Sequence, residues 1–426
     1  MALASTSLVL SDRSTRVGVV AVVAPYGEGG RHAQEYGRHG WGTIAVTLPS
    51  HTLPAEHRGG ADLSGYQGVI EHLGGLRRTA RQLRERGVSA VVAGSGIGVS
   101  LADRLTQTLG LAGNDPGTSS LRTDRGAQAA ALADAGLAAP RSLRTASLTE
   151  ALRWAEFCCM PAYVVAVADS SVTAPPAICR SATEISSAWR WLRRAAHHHA
   201  GTPDLVIQEH LPGQQYIVHT VSGPGSQHVV TGVWAEERTS NHVHARSDLM
   251  TSHSLLVRSM SLYASRALDA LGVEAGPARC RMVFSAGRGP TLLSARAFAQ
   301  PSSAAELSGL NIGMDHVRAA VQASTEGLDR PPVDDQPDSR FVSRVSLIAP
   351  HDGILDAHLL RTVTTLPTVS RTIGPLVAGA AVRKTVDRSS SPGELVLSAS
   401  SRHAIEEDYR VIRAVETLGL YDGAAL

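Results

Sequence analysis

Lysine is almost missing from this chain of 426 residues, in which Lys384 stands alone against 39 arginines. On a solvated surface that exchange costs little, because the two side chains share a charge and differ in fork geometry and in how readily they lose a proton. The scarcity therefore carries weight only where an uncharged residue fills a position that calls for a lysine. Long apolar runs are absent as well: no stretch approaches the roughly eighteen unbroken apolar residues of a membrane-spanning helix. The N-terminus lacks a basic segment followed by an apolar core and a cleavage site, so a cytoplasmic location is the expectation. A net charge of +2 is too small to point to nucleic acid or to an acidic membrane surface. Cysteine is confined to positions 158, 159, 179 and 280, with no Cys-x-x-Cys pair and no zinc or disulfide spacing. Adjacent Cys158 and Cys159 read as small apolar fillers near a helix end. No repeat is visible, and His197-His198-His199 reads as a solvated helix end.

With 43% hydrophobic and 18% charged residues, the remainder is the composition of a globular protein of two or three domains. Apolar runs at residues 16–24, 43–48 and 88–93 alternate with helical stretches at 31–38 and 66–86, the second carrying Ile70, Leu73, Leu76 and Leu83 at helical spacing. Buried strands separated by helices imply a parallel sheet covered on both faces, a Rossmann-like unit. Gly27-Glu28-Gly29-Gly30 falls short of a dinucleotide-binding pattern and reads first as a tight strand-to-helix turn. Gly94-Ser95-Gly96-Ile97-Gly98 is similar. From about Asn114 the texture becomes α+β. Ser147-Leu148-Thr149-Glu150 and Ser181-Ala182-Thr183-Glu184 have the form of helix capping boxes. Strands are expected at 162–168, 205–209, 215–221, 228–235, 279–284 and 291–295, and amphipathic helices at 255–271 and 404–418. The proline- and aspartate-rich residues 329–338 read as a linker to a final small unit.

Gln208-Glu209-His210-Leu211-Pro212-Gly213-Gln214-Gln215-Tyr216 resembles the strand and hinge of ATP-grasp enzymes. In order and spacing, residues 92–114, 122–143, 205–234 and 268–277, then Pro350-His351-Asp352-Gly353 and Asp408-Tyr409, are similar to carboxylate-amine ligases of the L-amino acid (dipeptide) ligase type. The resemblance runs from about residue 16 to the end. It implies an ATP-grasp fold, α/β and α+β, with a Rossmann-like pre-grasp domain at 1–115, a middle lobe at 116–205 and a C-terminal lobe at 206–426 whose terminal subdomain begins near 340. In such ligases ATP and an amino acid form an acyl phosphate that an amine attacks. That chemistry needs cations on the phosphates and carboxylates on Mg²⁺.

Position by position the family's machinery is replaced. Its first lysine corresponds to Arg125 in Arg122-Thr123-Asp124-Arg125, a change that still serves a phosphate. Its second corresponds to Ala166, a methyl group in place of a charge. The glycine-rich phosphate loop corresponds to residues 170–176, which contain no glycine and include Pro175 and Pro176, neither with an amide hydrogen to donate. The ribose-binding glutamate becomes Gln215. Where metal-binding carboxylates are expected stand Arg281 and Ser294, Arg296 takes the place of the family's asparagine and Phe298 that of its arginine, and no Asp or Glu lies between Glu274 and Glu306. Mg²⁺ takes oxygen ligands, and guanidinium groups repel it.

Three readings remain open. One is a pseudo-ATP-grasp protein that binds or acts on a small amino-acid- or peptide-like anion, in specialised metabolism and without ATP–Mg chemistry. In it His219, Arg281 and Arg296 are the candidate catalytic and anion-binding residues, and no cofactor or metal is expected. Another is a working ATP-dependent ligase, with ATP and Mg as cofactors and Arg125, Gln208, Glu209, Leu211 and Gln215 around the nucleotide. The last is a non-catalytic partner subunit. A homodimer is the candidate assembly, with no nucleic acid or membrane partner. His242 and His244 form a His-x-His pair that, with His253 nearby, could face one side of a strand, though no third metal ligand is evident. Glu209 and Glu236 are the carboxylates nearest this region, and no Ser-His-Asp or Cys-His arrangement can be read.

Overall fold

The computed structural model describes residues 17–53, 57–170, 172, 174–197, 204–223, 225, 227–251, 254–299, 316–328, 340–387 and 390–423. The chain begins with β1 (Val19–Val23), α1 (Gly30–Arg38), β2 (Gly42–Thr47), β3 (Gly68–Glu71), α2 (Leu76–Glu85), β4 (Val88–Ala93) and α3 (Val99–Leu109). The strands form one parallel sheet in the order β3-β2-β1-β4. Val20 to Val23 of the central strand are fully buried, as β-branched residues covered on both faces should be. Residues 66–86 are therefore not one helix. Ile70 lies on the edge strand β3, Leu73 is exposed, and the helix starts only at Leu76. The Gly94–Gly98 turn is shaped by close packing: a β-carbon on Gly98 would sit 2.4 Å from the Val23 carbonyl oxygen.

Next come α4 (Ser119–Thr123) and α5 (Arg125–Asp134), then β5 (Ser142–Thr145), α6 (Leu148–Cys158), β6 (Tyr163–Val167), β7 (Ala177–Cys179), α7 (Ala182–His197) and β8 (Leu205–Glu209). Arg122 is buried and pins α4 in place through Asp103 of α3 (2.8 Å) and the carbonyl of Gly272 (2.7 Å). The strands pair antiparallel in the order β5-β8-β6-β7. Trp189, Leu192 and Ile185 cover one face against Val165, Val167 and Ile207. By strand alternation Ala166 and Gln208 occupy the opposite face. Both predicted serine caps form, since the amides of Glu150 and Glu184 donate to Ser147 and Ser181. The reciprocal halves do not: Glu150 takes the Thr145 hydroxyl and Glu184 the Arg180 amide. Cys159 is exposed at the left-handed end of α6, with φ of 49°, and so is not the apolar filler expected there.

The remainder comprises β9 (Gln214–Gly223), β10 (Gln227–Arg238), β11 (His244–Leu249), α8 (Leu255–Ala270), β12 (Gly276–Ser285), β13 (Gly289–Arg296), α9 (His316–Glu326), β14 (Phe341–Ser346), β15 (Gly353–Ile354), α10 (Ala357–Thr364), β16 (Val369–Ile373), β17 (Ala381–Val382), β18 (Glu394–Ala399) and α11 (Arg402–Thr417). Among the described residues, eight strands form one antiparallel sheet in the order β13-β12-β9-β10-β11-β14-β18-β16. The expected final unit thus continues the large sheet through β14, β18 and β16, and the linker at 329–338 lies outside the described residues. Helix α8 buries Met260, Ala264 and Leu268 against Tyr216, Val218, Cys280 and Met282. Alternation leaves Gln215, Ile217, His219, Arg279 and Arg281 on the sheet's other face. No helix among the described residues is long and apolar enough to cross a membrane.

Candidate functional site

Continuous pairing of β9 with β12 sets Arg281 opposite Ile217 and Arg279 opposite His219. Pairing of β12 with β13 sets Arg279 opposite Arg296 and Arg281 opposite Ser294, and pairing of β10 with β9 sets Glu236 opposite Gln215. This part of the sheet face therefore gathers Arg279, Arg281 and Arg296 near Glu236. The Glu236 side chain is only 3% exposed, with guanidinium nitrogens of Arg238 at 3.2 Å, Arg279 at 3.8 Å and Arg281 at 4.0 Å. Burial alone would raise its pKa, but Arg281, Arg279 and Arg238 together hold the carboxyl down at about 2. Arg281 also donates to the Gln215 side-chain oxygen at 2.6 Å, so the predicted ribose-binding amide is occupied by an arginine.

Helix α5 brings a further cation. Asp124 caps it by accepting from the Ala127 amide at 2.9 Å. Arg125, the next residue, donates from its side chain to the Val167 carbonyl at 3.1 Å. One helical turn on, Gln128 clasps edge strand β13: it accepts from the Ala295 amide at 3.0 Å and donates to the Ala295 carbonyl at 2.9 Å. That clasp sets Arg296, the next residue of β13, near Arg125. Desolvation, followed by repulsion from Arg281, brings the pKa of Arg125 down to about 10 against the pull of Asp169 and Asp124, and desolvation followed by repulsion from Arg125 and Arg281 brings that of Arg296 to about 10 against Asp169. Arg281 is likewise at about 10, through desolvation and then Arg238. Among the described residues the Arg296 side chain makes no hydrogen bond or ion pair, its strand pairing with Arg279 being through the backbone.

The other predicted residues are distributed differently. Glu209, at the end of β8, accepts two hydrogen bonds from Arg288 in the β12–β13 turn (2.9 and 2.7 Å) and one from the Arg141 amide. Burial would raise its pKa, but Arg288 and Arg141 lower it. Gln208 and Leu211 are buried, and Gly213 between them and β9 has φ of 147°, where a β-carbon would lie 2.3 Å from the Phe284 carbonyl. His219 is 7% exposed and stacks on His316 with ring centroids 4.6 Å apart. His242 and His244 do not share a strand face. His242 occupies the turn with φ of 62°, whereas His244 is buried between Ser346 and Ser247 at 2.8 Å each, and His253 lies outside the described residues.

Ala166 is 3% exposed in the interior of β6. After it, the Ser170 amide donates to the Thr123 carbonyl at 2.7 Å and Val172 is buried, so the described part of the loop is folded onto the protein. The residues of the large-sheet face do not fit a magnesium ion: around Glu236 the nearest side chains are guanidinium groups, and Ser294 offers a single hydroxyl. Asp169, Arg238, Gln128 and Arg288 were not picked out in the sequence. The Glu-x-Arg spacing of 236 and 238 on a strand was a usable signal for Arg238, because residues two apart share a face.

No family model matches the sequence, and no curated protein matches it. Solved structures match its fold over nearly all its length. The L-amino acid ligase from Bacillus licheniformis is 14% identical with a TM-score of 0.69, over 94% of this chain and 98% of that one. A carboxyaminoimidazole ribonucleotide synthase from Aspergillus clavatus, complexed with ATP, is 12% identical with a TM-score of 0.69 over 94% and 98%. The biotin carboxylase domain of the Hydrogenobacter thermophilus 2-oxoglutarate carboxylase, complexed with MgADP, ADP and bicarbonate, is 15% identical with a TM-score of 0.60 over 89% and 86%. With a parallel N-terminal sheet, a smaller antiparallel sheet and a large antiparallel sheet in that order, the chain has the ATP-grasp fold.

Proposed function

We propose that this is a divergent ATP-grasp protein that binds a small amino-acid- or peptide-like anion on the arginine-bearing face of its large sheet, without the magnesium–ATP reaction of the ligases it resembles. The observation that carries the reading is the β12–β13 register, which places Arg281 across from Ser294 and Arg279 across from Arg296. Planar guanidinium forks suit bidentate binding of carboxylate or phosphate oxygens. In this reading Arg281 and Arg296 hold the anion. His219, opposite Arg279 in the β9–β12 register, is the imidazole proposed for proton transfer. ATP and magnesium belong to the alternative, an ATP-dependent carboxylate-amine ligase.

Thermal denaturation with ligands separates the two, because a compound that binds only the native state raises its melting temperature by mass action. Amino acids and dipeptides at millimolar concentration are expected to include one that stabilises the protein, and Arg281→Ala and Arg296→Ala are each expected to abolish that shift. ATP is expected to give no magnesium-dependent shift. Stabilisation by ATP that requires magnesium, or a full ligand response in both arginine variants, would replace this reading with the ligase one.

A further inference from the structure

The middle lobe packs by itself. Its core, built on Val165, Trp189, Leu192 and Ile207, takes every described member from between Leu143 and Ile207. The other apolar clusters draw nothing from that span. What joins the lobe to the rest of the chain is therefore polar, and a body joined that way turns unless its fastenings oppose turning. Both chain crossings lie at one end of its sheet. Arg141 leads into β5, whose Ser142 pairs with Gln208, and β8 ends at Glu209, opposite Tyr163. The other end, where Val167 pairs with Leu205, lies four residues along β6, roughly 13 Å away at the rise of a strand.

Each end is fastened. At the crossings, Arg288 from the β12–β13 turn holds the Glu209 carboxylate through two N–H donors at 2.9 and 2.7 Å. The Glu209 amide donates to the Arg141 carbonyl at 2.8 Å, and the Arg141 amide donates back to the Glu209 carboxylate at 3.3 Å. At the far end, the chain after β6 forms a bridge with the start of α5, between Asp169 and Asp124. There the Ser170 amide donates to the Thr123 carbonyl at 2.7 Å and the Arg125 amide to the Ala168 carbonyl at 2.9 Å. Two arginines reinforce the bridge: Arg125 donates to the Val167 carbonyl at 3.1 Å, and Arg144 of β5 pairs with Asp124 at 2.9 Å. Gln128 clasps α5 to β13, so this end too is tied to the large sheet.

We infer that the middle lobe is fastened at both ends in the unliganded chain, with Arg288 and Arg144 as the side-chain fasteners, so that the cleft over the arginine-bearing face is set before a ligand arrives. Turning about the crossings breaks the Asp124–Asp169 bridge, and turning about that bridge breaks the Arg288–Glu209 fork. Charge-assisted bonds, the stronger kind, oppose both movements. A cleft set in advance spares a ligand the cost of ordering the lobes. The fastening uses only groups of the chain itself, so it stands or falls apart from the anion-binding reading.

Hydrogen exchange on the full chain without ligand tests it. The amides of Arg125 and Ser170 at the far end, and of Arg141 at the crossings, are expected to be protected in the parent. Arg144→Met is expected to speed exchange several-fold at Arg125 and Ser170, and Arg288→Met at Arg141. The double variant is expected to exceed the two single effects at the far end and to show a larger radius of gyration by small-angle scattering. Amides of Tyr163–Val167, which report the lobe's own sheet, are expected to keep the parent rate in all three variants, which separates release of a body from loss of its fold. Arg125 and Ser170 amides that exchange freely in the parent, or that ignore Arg144→Met, would overturn the inference. So would β6 amides that quicken in step with them, since the lobe would then be unfolding rather than turning.

Discussion

Glu236 is the residue on which the charge pattern turns, because it is the carboxylate into which three guanidinium groups point. Its folded pKa of about 2 lies below that of a glutamate in an unfolded chain, about 4.3. The unfolded state therefore binds the proton more readily between those values. Its contribution to stability is complete above the unfolded pKa and is lost as pH falls toward 2. Urea unfolding followed from pH 6 down to pH 2.5 is expected to show this loss in the parent and a shallower acid limb in Glu236→Gln. An acid limb of unchanged slope in the variant would show that the depressed carboxylate lies elsewhere. At pH 7 the same variant removes the carboxylate shared by Arg238, Arg279 and Arg281, and is expected to cost about 3 kcal/mol, the scale seen when one partner of a buried ion pair is removed.

At the scale of elements, the position of β13 depends on Gln128. An edge strand presents unpaired amides and carbonyls, and here the amide and carbonyl of Ala295 are both taken up by one side chain from α5. Gln128→Ala leaves both buried groups unsatisfied and is expected to destabilise the protein by about 2–6 kcal/mol, at roughly 1–3 kcal/mol per orphaned group. It also frees Arg296 to move relative to Arg125, so faster amide exchange at 294–296 should accompany the loss. Exchange unchanged there would mean that β13 is held by β12 alone. Such a clasp could not be read in the sequence, since it joins residues 167 positions apart. Strands with strict alternation or dense valine were legible, as in β1, β8, β9 and β12. Short β3 was hidden inside a run with helical spacing, and β11 was hidden by polar residues, among them Arg246 and Asp248, that pair with each other and with Glu406 once the sheet has formed. The site was legible to the same extent. Motif order led to Arg281 and Arg296, and the Glu-x-Arg spacing could have led to Arg238, but Asp169 and the occupation of Glu209 by Arg288 follow from register and turn packing, which one strand's sequence does not contain.

For the molecule as a whole, the crowding of Arg125, Arg281 and Arg296 on one face means that the protein carries internal repulsion there. Partly exposed groups in that cluster, such as the Arg281 side chain at 22%, remain open to screening. The Debye length falls from about 30 Å at 0.01 M salt to about 8 Å at 0.15 M, so sodium chloride in that range should relieve the repulsion and raise the melting temperature. General salting-out is a poor explanation at such concentrations, and chloride is not among the strongly excluded anions that favour burial at every surface. Ordinary surface ion pairs respond in the opposite sense, because screening weakens attraction between exposed opposite charges. A protein whose charge effects were dominated by its exposed pairs, Arg402–Glu406 and Arg81–Glu85 among them, would thus lose a little stability with salt. The sign of the slope decides which population dominates, and Arg296→Met assigns it to a place. If the repulsion resides on the sheet face, the variant melts higher than the parent at 0.01 M salt and its dependence on salt is flatter. A falling melting temperature in the parent, or identical slopes in the two proteins, would show that the arginines are already neutralised within the chain.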